Sequence, residues 1–101
     1  MTIKWLKLKR IAEKILDGKE VAFIATTRMP DDLVAGTEVR NDAAIIVMNM
    51  AYVKGIEDVF QALAHELAHA ITGSAAHDER FRRTMEDLVP KIKGMYYEER
   101  G

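Results

Sequence analysis

Residues 57–71, Glu-Asp-Val-Phe-Gln-Ala-Leu-Ala-His-Glu-Leu-Ala-His-Ala-Ile, are the stretch that decides the fold. On a helix that turns about 100° per residue, the large apolar side chains fall on one side. His65 and His69 fall on roughly the opposite side, among small or polar neighbours. We therefore expect a helix from about Gly55 to Thr72 that turns an apolar stripe to a core and two imidazoles to an open cleft.

The same stretch contains an H-E-x-x-H motif at residues 65–69. Residues i and i+4 of a helix lie one above the other, so His65 and His69 can hold one Zn²⁺. Glu66, between them, is the expected general base acting on a metal-activated water. His77 is the third and last histidine of the chain and the leading candidate for the third metal ligand. The carboxylates that compete with it for this position are Asp78, Glu79 and Glu86.

Composition limits what the chain can be. Its 101 residues, 49% of them hydrophobic, suffice for one modest core, and we expect one domain over residues 1–94 followed by a tail over 95–101. The absence of cysteine excludes disulfides and a thiolate zinc site. Frequent charged residues with a single Gln and two Asn are expected of a protein from a thermophile, although six Met argue against it.

Charge and hydropathy give no reason to expect a nucleic-acid or membrane partner. The net charge is −1 with both signs interspersed, and the longest apolar run, residues 43–48, is far shorter than the roughly 20 residues of a transmembrane helix. Lysines interrupt the first ten residues too often for a signal peptide. We therefore expect a cytoplasmic protein, a monomer or weak homo-oligomer, whose partner is a peptide or protein substrate.

The remaining periodicities predict a small α+β fold. Residues 3–17 form an amphipathic pattern typical of a helix, 21–27 favour a strand, and the apolar run 43–48 favours a buried strand. Thr37 to Arg40 is short, polar and alternating, as expected of an edge strand. A last helix is expected over 78–92, with Pro90 bending or ending it and Gly94 closing it. The prediction is three helices with a small, mostly antiparallel three-stranded sheet.

The motif residues resemble a known family. His65-Glu-Leu-Ala-His69, followed by Gly73 and then His77-Asp-Glu-Arg-Phe81, is similar to the minigluzincins, small soluble zinc metallopeptidases from thermophilic prokaryotes that look like catalytic domains of CAAX-prenyl-protease-like membrane peptidases. The resemblance implies a minimal gluzincin-like domain and a histidine as third ligand, which agrees with His77. Zinc peptidases with the third ligand in an H-x-x-x-F segment look similar as well. The metzincins do not, because their Gly and third His follow the second His at offsets of three and six, against four and eight here.

Two further segments are candidates for function. An open-edged strand beside the cleft can add an extended peptide, so the expected substrate-binding residues are Thr37, Glu38, Val39 and Arg40. The tail contains Tyr96, Tyr97, Glu98 and Glu99, which could fill a substrate pocket or approach the metal. The family it resembles includes latent forms restrained by C-terminal segments, which implies an inhibitory tail here. A solvated, frayed terminus is the alternative.

Two other functions are alternatives for the same histidines. A small metal-dependent endoribonuclease would use an H-x3-H-x5-H pattern, whereas this chain has H-x3-H-x7-H, a Glu beside the first His and no basic patch. A metal-binding module without turnover is the second alternative, and it would close its site with a fourth protein ligand.

Overall fold

The computed structural model of the chain describes residues 3–26, 35–39, 42–73 and 76–98. Its elements are helix α1 (Trp5–Ile15), strands β1 (Glu20–Thr26), β2 (Ala35–Val39) and β3 (Ala43–Asn49), a short 3-10 turn (Met50–Tyr52), and helices α2 (Ile56–Thr72) and α3 (Glu79–Glu98). The predicted α+β class, with three helices and a three-stranded sheet, is confirmed.

The sheet has the order β1-β3-β2, so β3, the strand that the sequence predicts to be buried, lies in the centre. β3 pairs parallel with β1 and antiparallel with β2, and the sheet is therefore mixed. β2 is an edge strand, as its polar alternation predicts. From Ala43 to Met48, buried residues of β3 alternate with half-buried ones, so one face of the sheet is turned to the core. The buried residues of this face are Ala44, Ile46 and Met48, and Asn49 at the end of the strand is buried as well.

The three helices enclose that core. α2 contacts β2 and α3, and α1 contacts β1 and α3. The apolar stripe of α2 supplies the largest part of the buried cluster, including Val59, Phe60, Leu63, Ala64, Leu67 and Ala68. Val59, Phe60, Leu63 and Leu67 belong to the stripe that the 3.6-residue periodicity predicts. Ile71, expected in the same stripe, is 42% exposed, and Ala68, expected beside the histidines, is buried.

Local capping fixes both ends of α2 where the sequence predicts them. Asp58 accepts hydrogen bonds from the backbone N–H groups of Lys54 (2.7 Å) and Gly55 (3.3 Å), which stabilises the first turn. At the other end Gly73 adopts a left-handed conformation with φ of 66°, and its N–H donates to the carbonyl of His69. An L side chain is disfavoured at that φ, so glycine ends the helix there.

The predicted end of α3 is wrong. The helix was expected to close at Gly94, but it continues through Pro90 and Gly94 to Glu98. The reason is tertiary: Ile92 and Tyr96, one turn apart, are both buried in the core. Burial of two large side chains outweighs the roughly 1 kcal/mol helix penalty of a glycine and the hydrogen bond lost at a proline. Among the described residues, no helix is both long and apolar enough to cross a membrane.

Candidate metal centre

The three histidines of the chain converge on one point. His65 and His69 lie one helical turn apart on the polar side of α2, with their Nε2 atoms 3.2 Å apart. His77 follows the left-handed turn at Gly73, and its Nε2 lies 3.1 Å from that of His69. The ligand atoms of all three rings lie within 4.8 Å of one another, so the three side chains could hold a metal ion.

The competing carboxylates lie elsewhere. Asp78 accepts a hydrogen bond from the backbone N–H of Phe81 (2.9 Å) and so caps the start of α3. Glu79 pairs with Arg83 at 2.9 Å on the exposed side of that helix, and Glu86 is exposed. In the part of the chain that the structure describes, the three histidines form the one cluster of potential metal ligands.

Phe81 is the surface on which the imidazoles pack. Its ring centroid lies 5.0 Å from that of His65, 4.5 Å from that of His69 and 4.8 Å from that of His77, and the residue is buried. A single ring in contact with all three imidazoles restricts their rotamers. This contact is not among the sequence predictions; the position of Phe81 four residues after His77 is the signal that could have indicated it.

The electrostatics of the site favour neutral imidazole. Partial burial is the main cause that lowers the pKa of His65, and the neighbouring rings of His69 and His77 add to it, while Glu66 opposes the shift. A neutral imidazole keeps the lone pair that a metal needs. The lowered pKa of His65 therefore favours the form of that ring that suits metal binding.

Glu66 lies beside the cluster. It is 4% exposed, and one carboxylate oxygen, Oε1, accepts a hydrogen bond of 2.6 Å from the hydroxyl of Thr37 on β2. The other, Oε2, is 4.0 Å from Nε2 of His65. One oxygen is thus fixed to the edge strand, and the second lies close to the point on which the histidines converge.

The structure separates the four residues expected to bind substrate on β2. Thr37 is paired with Ile46 of β3 and is directed at Glu66, whereas Glu38 alternates to the other face and is exposed. Val39 is the last residue of β2. Arg40 lies outside the described residues, so its expected part is a prediction still. The signal for the contact of Thr37 with Glu66 is absent from the sequence, because it depends on how α2 crosses β2.

The tail residues lie at the opposite end of α3 from Phe81. Tyr96 is buried, packs edge-on against Phe60 with ring centroids 5.2 Å apart, and accepts a hydrogen bond of 3.3 Å from the backbone N–H of Lys4. Tyr97 is 60% exposed and also contacts Phe60, at 5.9 Å. Glu98 is exposed at the end of the helix, and Glu99 lies outside the described residues. Tyr96 is a core residue in the structure, and an inhibitory role for the four residues stays a prediction.

Comparison with known proteins adds no further assignment: no family model matches the chain, and neither the curated proteins nor the solved structures contain a match. The site itself therefore provides the basis for inferring a function.

Proposed function

We propose that the chain is a zinc-dependent peptidase that uses Glu66 as its general base. The observation that carries the proposal is the convergence of three imidazoles. Nε2 of His69 lies 3.2 Å from that of His65 and 3.1 Å from that of His77, and the Glu66 carboxylate lies 4.0 Å from Nε2 of His65. A helix with two solvated histidines would explain neither the third histidine nor the buried carboxylate.

The donor set fits zinc. Zn–N bonds of about 2.0–2.1 Å at tetrahedral angles place neighbouring ligand nitrogens about 3.3 Å apart. The separations of 3.2 and 3.1 Å are close to that value. Three histidines with no thiolate suit zinc among the metals that prefer imidazole, and three protein ligands leave a fourth position for water or substrate, as in catalytic sites. His77, the proposed third ligand, is exposed, so water or substrate can reach the fourth position.

The roles of the side chains follow from their places. When bound, zinc would lower the pKa of a water to about 7 and polarise a carbonyl. Oε2 of Glu66 would accept the proton of the attacking water and then deliver it to the leaving amine. An extended peptide would pair with the outer edge of β2 and so present its scissile bond to the histidines. Among families, the minigluzincins are the proposed relatives, on the strength of the 65–81 motif alone.

The test of the proposal compares the wild type with Glu66→Gln. The wild-type protein, loaded with one equivalent of zinc, should cleave a denatured protein or a peptide library and stop when a chelator is added. Glu66→Gln should keep its zinc, because Glu66 is not a ligand, and should lose about 10²–10⁴-fold in turnover because general-base catalysis is worth that much. Turnover is measured by mass spectrometry of the products and zinc by elemental analysis.

The matched control is Glu57→Gln, the same change on the same helix at an exposed residue that pairs with Lys93 at 2.7 Å. Zinc-loaded wild-type protein that cleaves structured RNA but no peptide would support the endoribonuclease instead. Zinc held without hydrolysis of either substrate, and with a fourth protein ligand, would support a non-catalytic module.

A further inference from the structure

The hydrogen bond between Thr37 and Glu66 joins the edge strand to the motif helix. It is 2.6 Å long and connects residues 29 positions apart in sequence, with the hydroxyl donating and Oε1 accepting. Glu66 is 4% exposed, so its carboxylate has little contact with bulk solvent. Hydrogen bonds to a buried carboxylate are among the stronger ones in proteins, and losing a donor leaves a charged acceptor without a partner.

The bond fixes which oxygen of Glu66 is available. With Oε1 engaged by Thr37, the oxygen nearer to the histidines is Oε2, 4.0 Å from Nε2 of His65. A carboxylate free to rotate about its last side-chain torsion would have no preferred orientation, since such torsions are broad and roughly two-fold. Thr37 thus removes a rotation that would otherwise have to be frozen at each turnover.

Strand geometry explains why a residue at this position can do so. Thr37 is paired with Ile46, which is fully buried, so the two side chains share the inner face of the sheet. Its neighbour Glu38 is on the outer face and exposed. A one-residue slip of β2 along β3 would therefore replace the hydroxyl that faces Glu66.

We propose that Thr37 is a positioning residue that holds the Glu66 carboxylate in its working orientation through this hydrogen bond. The proposal rests on the function proposed above for Glu66. The role of Thr37 then differs from the substrate binding expected from the sequence. Its side chain orients the base, whereas a peptide pairing with β2 would use the backbone of that strand.

The kinetic test uses Thr37→Val, which keeps the β-branched shape and removes the donor, and Thr37→Ser, which keeps the donor. Thr37→Val should lower kcat about tenfold or more while KM stays within about twofold, because a hydrogen bond to a charged group is worth at least that factor. Thr37→Ser should restore most of the loss. Both proteins should bind one equivalent of zinc. Thr84→Val is the matched control, since its hydroxyl donates to the Arg80 carbonyl on α3 and has no part in the site.

A second measurement does not depend on activity. A double-mutant cycle of Thr37→Val and Glu66→Ala, read by chemical denaturation, should show a coupling of about tenfold in the unfolding equilibrium constant. Thr37→Ala replaces the valine variant if the latter does not fold. Absence of coupling would overturn the positioning role, whatever the enzyme does. A wild-type kcat in Thr37→Val, with coupling present, would also overturn it by reducing the contact to a structural one.

The two proposals fail separately. If zinc-loaded wild-type protein hydrolyses no peptide, the proposed function fails, and the cycle alone decides whether Thr37 holds Glu66. If the wild type is active and the valine variant matches it, the proposed function stands and the positioning role falls.

Discussion

Helices α2 and α3 contact each other through aromatic rings at both ends of the pair. We call the end at Tyr96 closed, because Phe60 and Tyr96 are buried, and the end at Phe81 open, because its histidines are half-buried or exposed. Phe81 at the start of α3 meets the imidazoles of α2, and Tyr96 near the end of the same helix meets Phe60. At the Tyr96 end the rings are apolar, buried and tied to α1 by a hydrogen bond to Lys4. At the Phe81 end the rings are half-buried or exposed histidines.

The difference separates stability from function along one pair of helices. The closed end buries large apolar rings, which stabilise the fold without any ligand. The open end places three imidazoles in contact, which contributes little to the core but creates a candidate binding site. We therefore expect a metal to change the stability and chemistry of the open end and to leave the closed end unaffected.

The largest expected effect is the loss of the metal in His69→Ala. His69 is the central ring, within 3.2 Å of His65 and 3.1 Å of His77 by Nε2 separation. Zinc at about 100 times its Kd should stabilise the wild type by about 2.7 kcal/mol, a rise in Tm of roughly 10–20 °C for a domain of this size. His69→Ala should show no such rise. Thermal unfolding with and without zinc measures it.

Glu79→Gln is the control for that experiment, because this exposed carboxylate next to the site pairs with Arg83 and lies outside the histidine cluster. It should keep the full zinc-dependent rise in Tm. A rise in His69→Ala equal to that of the wild type would show that the metal binds elsewhere and that the open end is not its site.

The largest effect on the stability of the metal-free protein is expected at the closed end. Tyr96→Ala should destabilise the protein by about 3–5 kcal/mol, because it removes a buried aromatic ring that packs on Phe60. Tyr96→Phe should cost only about 0.5–1.5 kcal/mol, because it loses just the acceptor of the Lys4 N–H. Denaturant unfolding measures both. In Tyr96→Phe, which stays folded, the zinc-dependent rise in Tm should equal that of the wild type.

The closed end also contains tail residues for which an inhibitory role is predicted. Truncation after Gly94 removes Tyr96 and is expected to destabilise the core, so it cannot test inhibition cleanly. Tyr97→Ala combined with Glu98→Ala removes exposed groups and leaves Tyr96 in place. Higher peptidase activity in that double variant, at unchanged stability, would support an inhibitory tail. Unchanged activity would leave these two residues without an inhibitory role.

Sequence reasoning succeeds here where a local pattern and its tertiary use agree. The apolar stripe and the flanking Gly55 and Gly73 predict α2 almost to the residue. The i, i+4 spacing predicts that His65 and His69 face the same way, and a glycine-ended helix allows His77 to return to them. The run 43–48 predicts the buried strand β3.

It fails where long-range packing decides. The local signals at Pro90 and Gly94 predict the end of α3, but Ile92 and Tyr96 gain more from burial than the helix loses there. The parallel pairing of β1 with β3 has no local signal. Nor does the contact of Thr37 with Glu66, since nothing in either segment states how the strand and the helix cross.

The smallest expected effect lies at a third place, the junction of α1 with β1. It gives the size of effect expected from a partly solvated contact, with which the effects at the open and closed ends can be compared. Glu13 accepts hydrogen bonds from Lys9 Nζ (2.8 Å) and from the backbone N–H of Val21 (3.0 Å). The hydrogen bond from Lys9, followed by that from Val21, lowers the pKa of this carboxyl below its ordinary value of 4.5. Because the pKa of Glu13 is lower in the folded protein, the contact stabilises the fold at pH values above the ordinary pKa. That stabilisation is lost as the pH falls through the pKa of the folded protein.

Because the pair is partly solvated, Glu13→Gln should cost less than about 1 kcal/mol at pH 7. The difference from the wild type should shrink as the pH is lowered below 4.5, with both proteins measured by denaturant unfolding. A difference that stays constant over that range would mean that the amide disturbs packing and that the charge of Glu13 contributes nothing.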